Sequence, residues 1–280
     1  MKKLLFGTIV TMCTLSSIQS NAQMKKGAYV GVNIGYNAAA GAGNGASLNV
    51  ENSSNTTTID ENEVIKFSFG KGINAGVSFG YMFNENIGAE LGVQYLIGGK
   101  TKYTQTNNLG FGTSTTSGNV SAKMVQIKPS IVLATTIKNT TPYAKFGMVI
   151  GSGKITSNEN TTSTPSFTTN QTAEFKGGMA VGFTAAMGLN FSMSENLSIG
   201  AEINMVNMQY TPKKATITKY TENGVDKLAT LSVSDKETEF NKKYTRNSST
   251  PTPATSPSQQ TAFTTPFGSI GINVGVKYNF

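Results

Sequence analysis

Histidine is absent from all 280 residues. That removes the usual general base, and with it the Ser-His-acid and Asp-His arrangements of hydrolases. The only cysteine, Cys13, lies in an apolar run near the N-terminus, so no thiol nucleophile or soft metal cluster remains elsewhere in the chain. Asp60, Glu61 and Glu63 form an acidic group without the ligand spacing of a calcium loop, and read as a solvated connection. The chemistry left to the chain is ion pairing. Glu90, Lys128, Lys145, Glu202 and Lys277 each stand on the polar side of a stretch in which apolar and polar residues alternate. A period of two puts the polar side of a strand on one face, so these five charges are expected to share one interior, where Glu90, Lys145, Glu202 and Lys277, all near the short-turn rim, are expected to pair with each other. No catalytic residue, metal or cofactor is expected.

Eight such stretches must position them: 27–39, 67–83, 87–104, 120–137, 142–156, 173–193, 197–211 and 267–280. In the last, Ile270, Ile272, Val274, Val276, Tyr278 and Phe280 share one face, while Asn273, Gly275, Lys277 and Asn279 share the other. In the third, Ile87, Ala89, Leu91, Val93, Tyr95 and Ile97 face away from Glu90. Two difficulties are visible. Pro129 removes a ladder hydrogen bond and predicts a bulge or distortion in the fourth stretch. The seventh loses its phase after Asn207, which also predicts a bulge.

The connections alternate in length. Those after the second, fourth and sixth stretches are only a few residues long, whereas the others are long and rich in Asn, Thr, Ser and Gly. The longest, about 212–264, holds a hairpin signal at Asn223-Gly224, and its Pro- and Ser-rich part from Ser248 is expected to be mobile. Ile87-Gly-Ala-Glu and Ile199-Gly-Ala-Glu form a weak internal echo that places Glu90 and Glu202 alike.

Hydrophobic residues make up 38% of the chain and mean hydropathy is −0.19. After the N-terminal segment no apolar run approaches the ~20 residues that a spanning helix needs. A membrane-spanning barrel needs no such run, because only alternate residues meet lipid. The fold class expected is therefore all-β: an eight-stranded antiparallel transmembrane up-and-down barrel with short periplasmic turns and long extracellular loops. Tyr36, Tyr81, Phe83, Tyr95, Phe191, Tyr278 and Phe280 read as interfacial girdle residues. Residues 1–22, with Lys2, Lys3, the run Leu4–Leu15 and Ser20-Asn21-Ala22, read as a cleaved signal peptide, leaving 23–280 as one domain. A lipoprotein reading of Cys13 is disfavoured by Met12, where a small residue is expected.

The signal peptide, alternating strands, unequal connections and terminal Phe280 resemble the small OmpA/OmpX-type outer-membrane β-barrel family over nearly all of the mature chain. The resemblance implies a bacterial outer-membrane location and a salt-bridged interior, with Tyr278 and Phe280 as a C-terminal assembly signal. It implies an envelope-structural or surface-contact protein without enzymatic activity. A narrow passive channel of porin or OmpW type and an accessory subunit of a larger complex are the alternatives. Expected partners are outer-membrane lipid and lipopolysaccharide, the assembly machinery and an extracellular surface ligand. The net charge of +8, much of its excess in the last connection, suits an anionic surface. It lacks the dense basic patch and stacking platform of a nucleic-acid binder, and a monomer is expected.

Overall fold

The computed structural model describes residues 26–40, 51–56, 59–64, 67–108, 112–164, 166–245 and 252–280, those between 51 and 64 by backbone alone. Eight strands close a ring: β1 (Gly27–Ala39), β2 (Gly72–Met82), β3 (Ile87–Gly98), β4 (Thr113–Ala134), β5 (Thr140–Ser163), β6 (Met179–Ser192), β7 (Leu197–Tyr210) and β8 (Ser269–Asn279). Each pairs antiparallel with its successor, and β8 returns to β1 from Tyr29↔Asn279 to Ala39↔Ser269. Closure leaves the ring no free edge.

Alternation builds the ring because it lets every strand satisfy two environments at once. Val32, Ile34 and Tyr36 of β1, Phe79 and Tyr81 of β2, Phe183 and Met187 of β6, and Ile272 and Val274 of β8 are all exposed on the outside. Along β7 the outward residues Leu197 to Met205 cover about 26 Å of strand, which at the usual tilt is about 20 Å of membrane normal. The short turns lie at one end. Asn84 caps the β2–β3 turn, its Oδ1 accepting from the backbone N–H of Asn86 and of Ile87 at 2.8 Å each. Ser194 Oγ accepts from Leu197 N–H at 3.2 Å in the β6–β7 turn.

At the other end the structure departs from the expected loops. Much of the polar sequence beyond β3, β5 and β7 is strand: Thr101–Asn108, Phe167–Lys176, Lys214–Glu222, Glu237–Asn241 and Ser258–Thr261. β4 starts at Thr113 rather than near 120, and β5 runs to Ser163 rather than 156. With Glu51–Thr56 and Ile59–Val64 these segments form an extended sheet above the ring. Its sequence looks like loop because threonine, serine and asparagine dominate it, with apolar contacts confined to a few side chains such as Phe175 against Phe240 and Phe263. Threonine and asparagine nevertheless ladder across strands, as in Thr116–Thr161 at 2.9 Å and Thr172–Asn158 at 3.0 Å. The hairpin at Asn223-Gly224 turns with φ of 47° and 83°, the left-handed pair that a two-residue turn requires. Residues 246–251, and with them the start of the Pro- and Ser-rich segment, lie outside the described residues, as do residues 1–25 with Cys13.

The distortion expected at Pro129 is present as a break in the ladder to β5 at Lys128 and Pro129, with one register kept on both sides; the bulge expected after Asn207 is absent. β7 continues its alternation through Asn207 to Tyr210, with Val206, Met208 and Tyr210 buried and Asn207 and Gln209 outside. The phase is intact and the chemistry of the two faces has exchanged. Register shifts lie elsewhere: at Gly177-Gly178, where the β5 pairing shifts between Met179↔Ser152 and Ile155↔Phe175 and Gly177 takes φ 86°, and between Ile217 and Lys219 where Lys214–Glu222 pairs with Phe167–Lys176.

Candidate functional site: the barrel interior

The interior is layered. Nearest the short turns lie Tyr29, Met82, Val132, Ala134 and Tyr143. Next comes the charged layer. Lys145 Nζ lies 2.8 Å from Glu90 Oε1 and 2.9 Å from Glu202 Oε2, so one lysine bridges both carboxylates. Each carboxylate also accepts from a phenol, Tyr29 OH to Glu90 at 2.9 Å and Tyr143 OH to Glu202 at 3.1 Å. Asn273 Nδ2 donates to Glu202 Oε1 at 3.3 Å. The echo seen in the sequence thus has a structural counterpart: Ile-Gly-Ala-Glu on β3 and on β7 supplies the two carboxylates that flank Lys145.

The tyrosines reach across because glycine lies beneath them. A Cβ at Gly80 would come within 2.1 Å of the Tyr29 ring, and one at Gly188 within 2.6 Å of the Tyr143 ring. The other two interior lysines behave differently. Contrary to the expected pairing, Lys277 meets no carboxylate among the described residues; its Nζ has no hydrogen-bond partner there and sits 4.2 Å from the centroid of the Tyr29 ring, a cation–π contact. Lys128, one level higher, donates to Gln94 Oε1 at 2.5 Å, and Gln94 Nε2 donates in turn to Asn33 Oδ1 at 3.2 Å. Tyr29, Tyr143, Gln94 and Asn273 were not singled out by charge, although all lie in the inward phase of their strands. Two small cavities of about 50 and 40 Å³ remain between these side chains. Each has room for only a few waters.

Above the polar layer the interior becomes apolar. Leu96, Val120, Met124, Val149, Ile155, Ala180, Val206, Met208, Tyr210 and Phe267 form one buried cluster. Phe267 packs against Phe69 and Tyr210 with ring centroids 5.4 and 5.7 Å apart, and Tyr210 OH donates to Gly153 O at 2.9 Å. The five interior charges alone give no sign of this layer. Higher still, Tyr103 OH donates to Glu159 Oε1 at 2.7 Å, and burial, with that carboxylate beside it, holds the Tyr103 phenol above the ordinary tyrosine range. Asp60, Glu61 and Glu63 lie on Ile59–Val64, whose side chains are outside those described.

Tyr278 and Phe280 sit outside the ring at the short-turn end, ring centroids 5.2 Å apart, and Tyr278 OH accepts from Asn196 Nδ2 at 3.4 Å.

A closed antiparallel ring that is apolar outside and charged inside is a transmembrane β-barrel. The model of the outer membrane protein beta-barrel domain matches residues 8–234, and the chain belongs to that family, whose place is the bacterial outer membrane. A search of curated proteins finds no match. Similar solved structures include the outer membrane protein OprG from Pseudomonas aeruginosa, at 10% identity and TM-score 0.43 over 93% of this chain and 99% of that one. Ail, the attachment invasion locus protein of Yersinia pestis, matches at 11% and 0.32 over 91% and 99%, and CarO2 of Acinetobacter baumannii at 11% and 0.30 over 90% and 98%.

Proposed function

We propose that the protein is a non-enzymatic, closed-lumen barrel whose role is structural or adhesive, with its extended sheet facing the exterior as a contact surface. The observation that carries this reading is the layered interior. A solute path would have to cross the Glu90–Lys145–Glu202 layer and then the apolar cluster around Met208 and Phe267. An eight-stranded ring is just wide enough for side chains to fill. The charged layer acts as a plug, in which carboxylates and lysines that would be costly alone neutralise each other. On this reading residues 1–22 are removed on export, Phe280 with Tyr278 is read by the assembly machinery, and the barrel is a monomer.

Planar-bilayer recording of refolded protein tests the closed lumen: no conductance above background is expected, and a steady unitary current would establish a channel instead. Protease treatment of whole cells tests the exposed sheet, with cleavage expected only within the long connections. Deleting Phe280 is expected to lower the heat-modifiable, membrane-inserted fraction severalfold in cells while leaving refolding in detergent intact.

A further inference from the structure

The register of the extended sheet brings lysines side by side. Lys123 is the direct cross-strand partner of Lys154, and Lys176 that of Lys214. Lys154 and Lys176 are joined through Glu174, which pairs with Lys154 and lies 3.9 Å from Lys176 Nζ. The chain neighbours Ala122, Met124 and Ile155 are buried, so the row faces outward. Strands lie about 4.8 Å apart, so four lysines on adjacent strands span about 14 Å.

Like charges directly opposite each other destabilise a sheet. Here four lysines face a single carboxylate within the row and Glu239, the register partner of Lys214, at its end. Lys123 makes no ion pair among the described residues. Such a row is short of anions. Its level on the barrel says where they come from: the next outward residues below it are Val125 and Met179, and Ile97, the register partner of Lys123, is exposed beside it, so the row lies at the upper margin of the exposed apolar belt. The row therefore stands where that belt meets the headgroups of the outer leaflet, on the side of the long connections.

We propose that Lys123, Lys154, Lys176 and Lys214 form a binding site for the phosphorylated headgroup of an outer-leaflet glycolipid. A headgroup with two phosphates fits better than one, because no single phosphate reaches along the whole row. The site rests on the orientation that puts the long connections outside, and would fix the depth and rotation of the barrel in the leaflet.

The test is native mass spectrometry of the detergent-refolded full chain titrated with bisphosphorylated lipid A, its dephosphorylated form, or phosphatidylglycerol. The K123Q/K154Q/K176Q/K214Q variant is expected to bind bisphosphorylated lipid A at least tenfold more weakly. The same row as arginines, and a control that removes equal charge elsewhere (K219Q/K227Q/K242Q/K243Q), should stay within threefold of the parent. Equal loss in the row and control variants would mean generic charge attraction and overturn the site. So would equally tight binding of the dephosphorylated lipid or of phosphatidylglycerol. Heat-modifiable migration checks folding. Should the fourfold variant fail to fold, K123Q alone removes the lysine without an ion pair, and unchanged affinity would reject the proposal. None of these readouts depends on conductance or protease access, so failure here leaves the closed-lumen reading standing.

Discussion

The two halves of β7 obey one geometry and opposite chemistry. From Leu197 to Met205 the outward side chains are apolar and the inward ones include Glu202 and Asn204. From Val206 to Tyr210 the inward ones are apolar and Asn207 and Gln209 point out. Ile203 is 55% exposed and Val206 2%. What changes along the strand is the solvent outside it. In lipid the exterior must be apolar and the interior can hold polar groups; above the membrane water takes the exterior and the interior becomes an ordinary hydrophobic core.

The comparison is broken most severely in the charged layer. Lys145→Met leaves Glu90 and Glu202 facing each other without their shared cation, and is expected to cost about 3–5 kcal/mol in urea unfolding from vesicles. The triple change K145M/E90Q/E202Q should recover most of that loss. In the upper layer, Met208→Ala removes a buried side chain from the apolar cluster, with an expected cost of about 2–5 kcal/mol by the same measurement. Outside, Ile203→Lys places a charge in lipid and should cost about 2–4 kcal/mol if Ile203 lies near the bilayer midplane. Gln209→Lys, only six residues farther along the same face, should lie within about 0.5 kcal/mol of the parent. Equal penalties at 203 and 209 would place the membrane boundary higher than Met205.

Much of this was legible in the sequence. Period-two alternation located the eight strands and their inward and outward faces, because burial on one side of a pleated strand leaves a direct trace. It also placed the five charges in the interior. It could not assign partners to them: Lys145 and Lys277 occupy comparable inward positions, yet Lys145 reaches the carboxylates while Lys277 lies over Tyr29. That choice depends on strand stagger and on tyrosines crossing Gly80 and Gly188. The apolar layer did leave a trace. Adjacent hydrophobic residues at Leu96-Ile97, Val149-Ile150 and Met205-Val206 mark where both faces of a strand are apolar, at the change from one regime to the other. The polar extensions were missed because a strand with water on one side and hydroxyl and amide ladders on the other has no hydrophobic period to read.

The seam between β1 and β8 has a consequence for how the barrel forms. It unites Tyr29 with Asn279, residues 250 positions apart, while every other junction joins ring strands that follow one another along the chain, with polar strands intervening in the long connections. Three ladders close across short turns and four across longer connections, whereas the eighth joins the two ends of the ring and carries the largest loop-closure entropy of the eight. Two open strand edges remain before that step, so the unclosed barrel is open to capture by another strand until the seam forms.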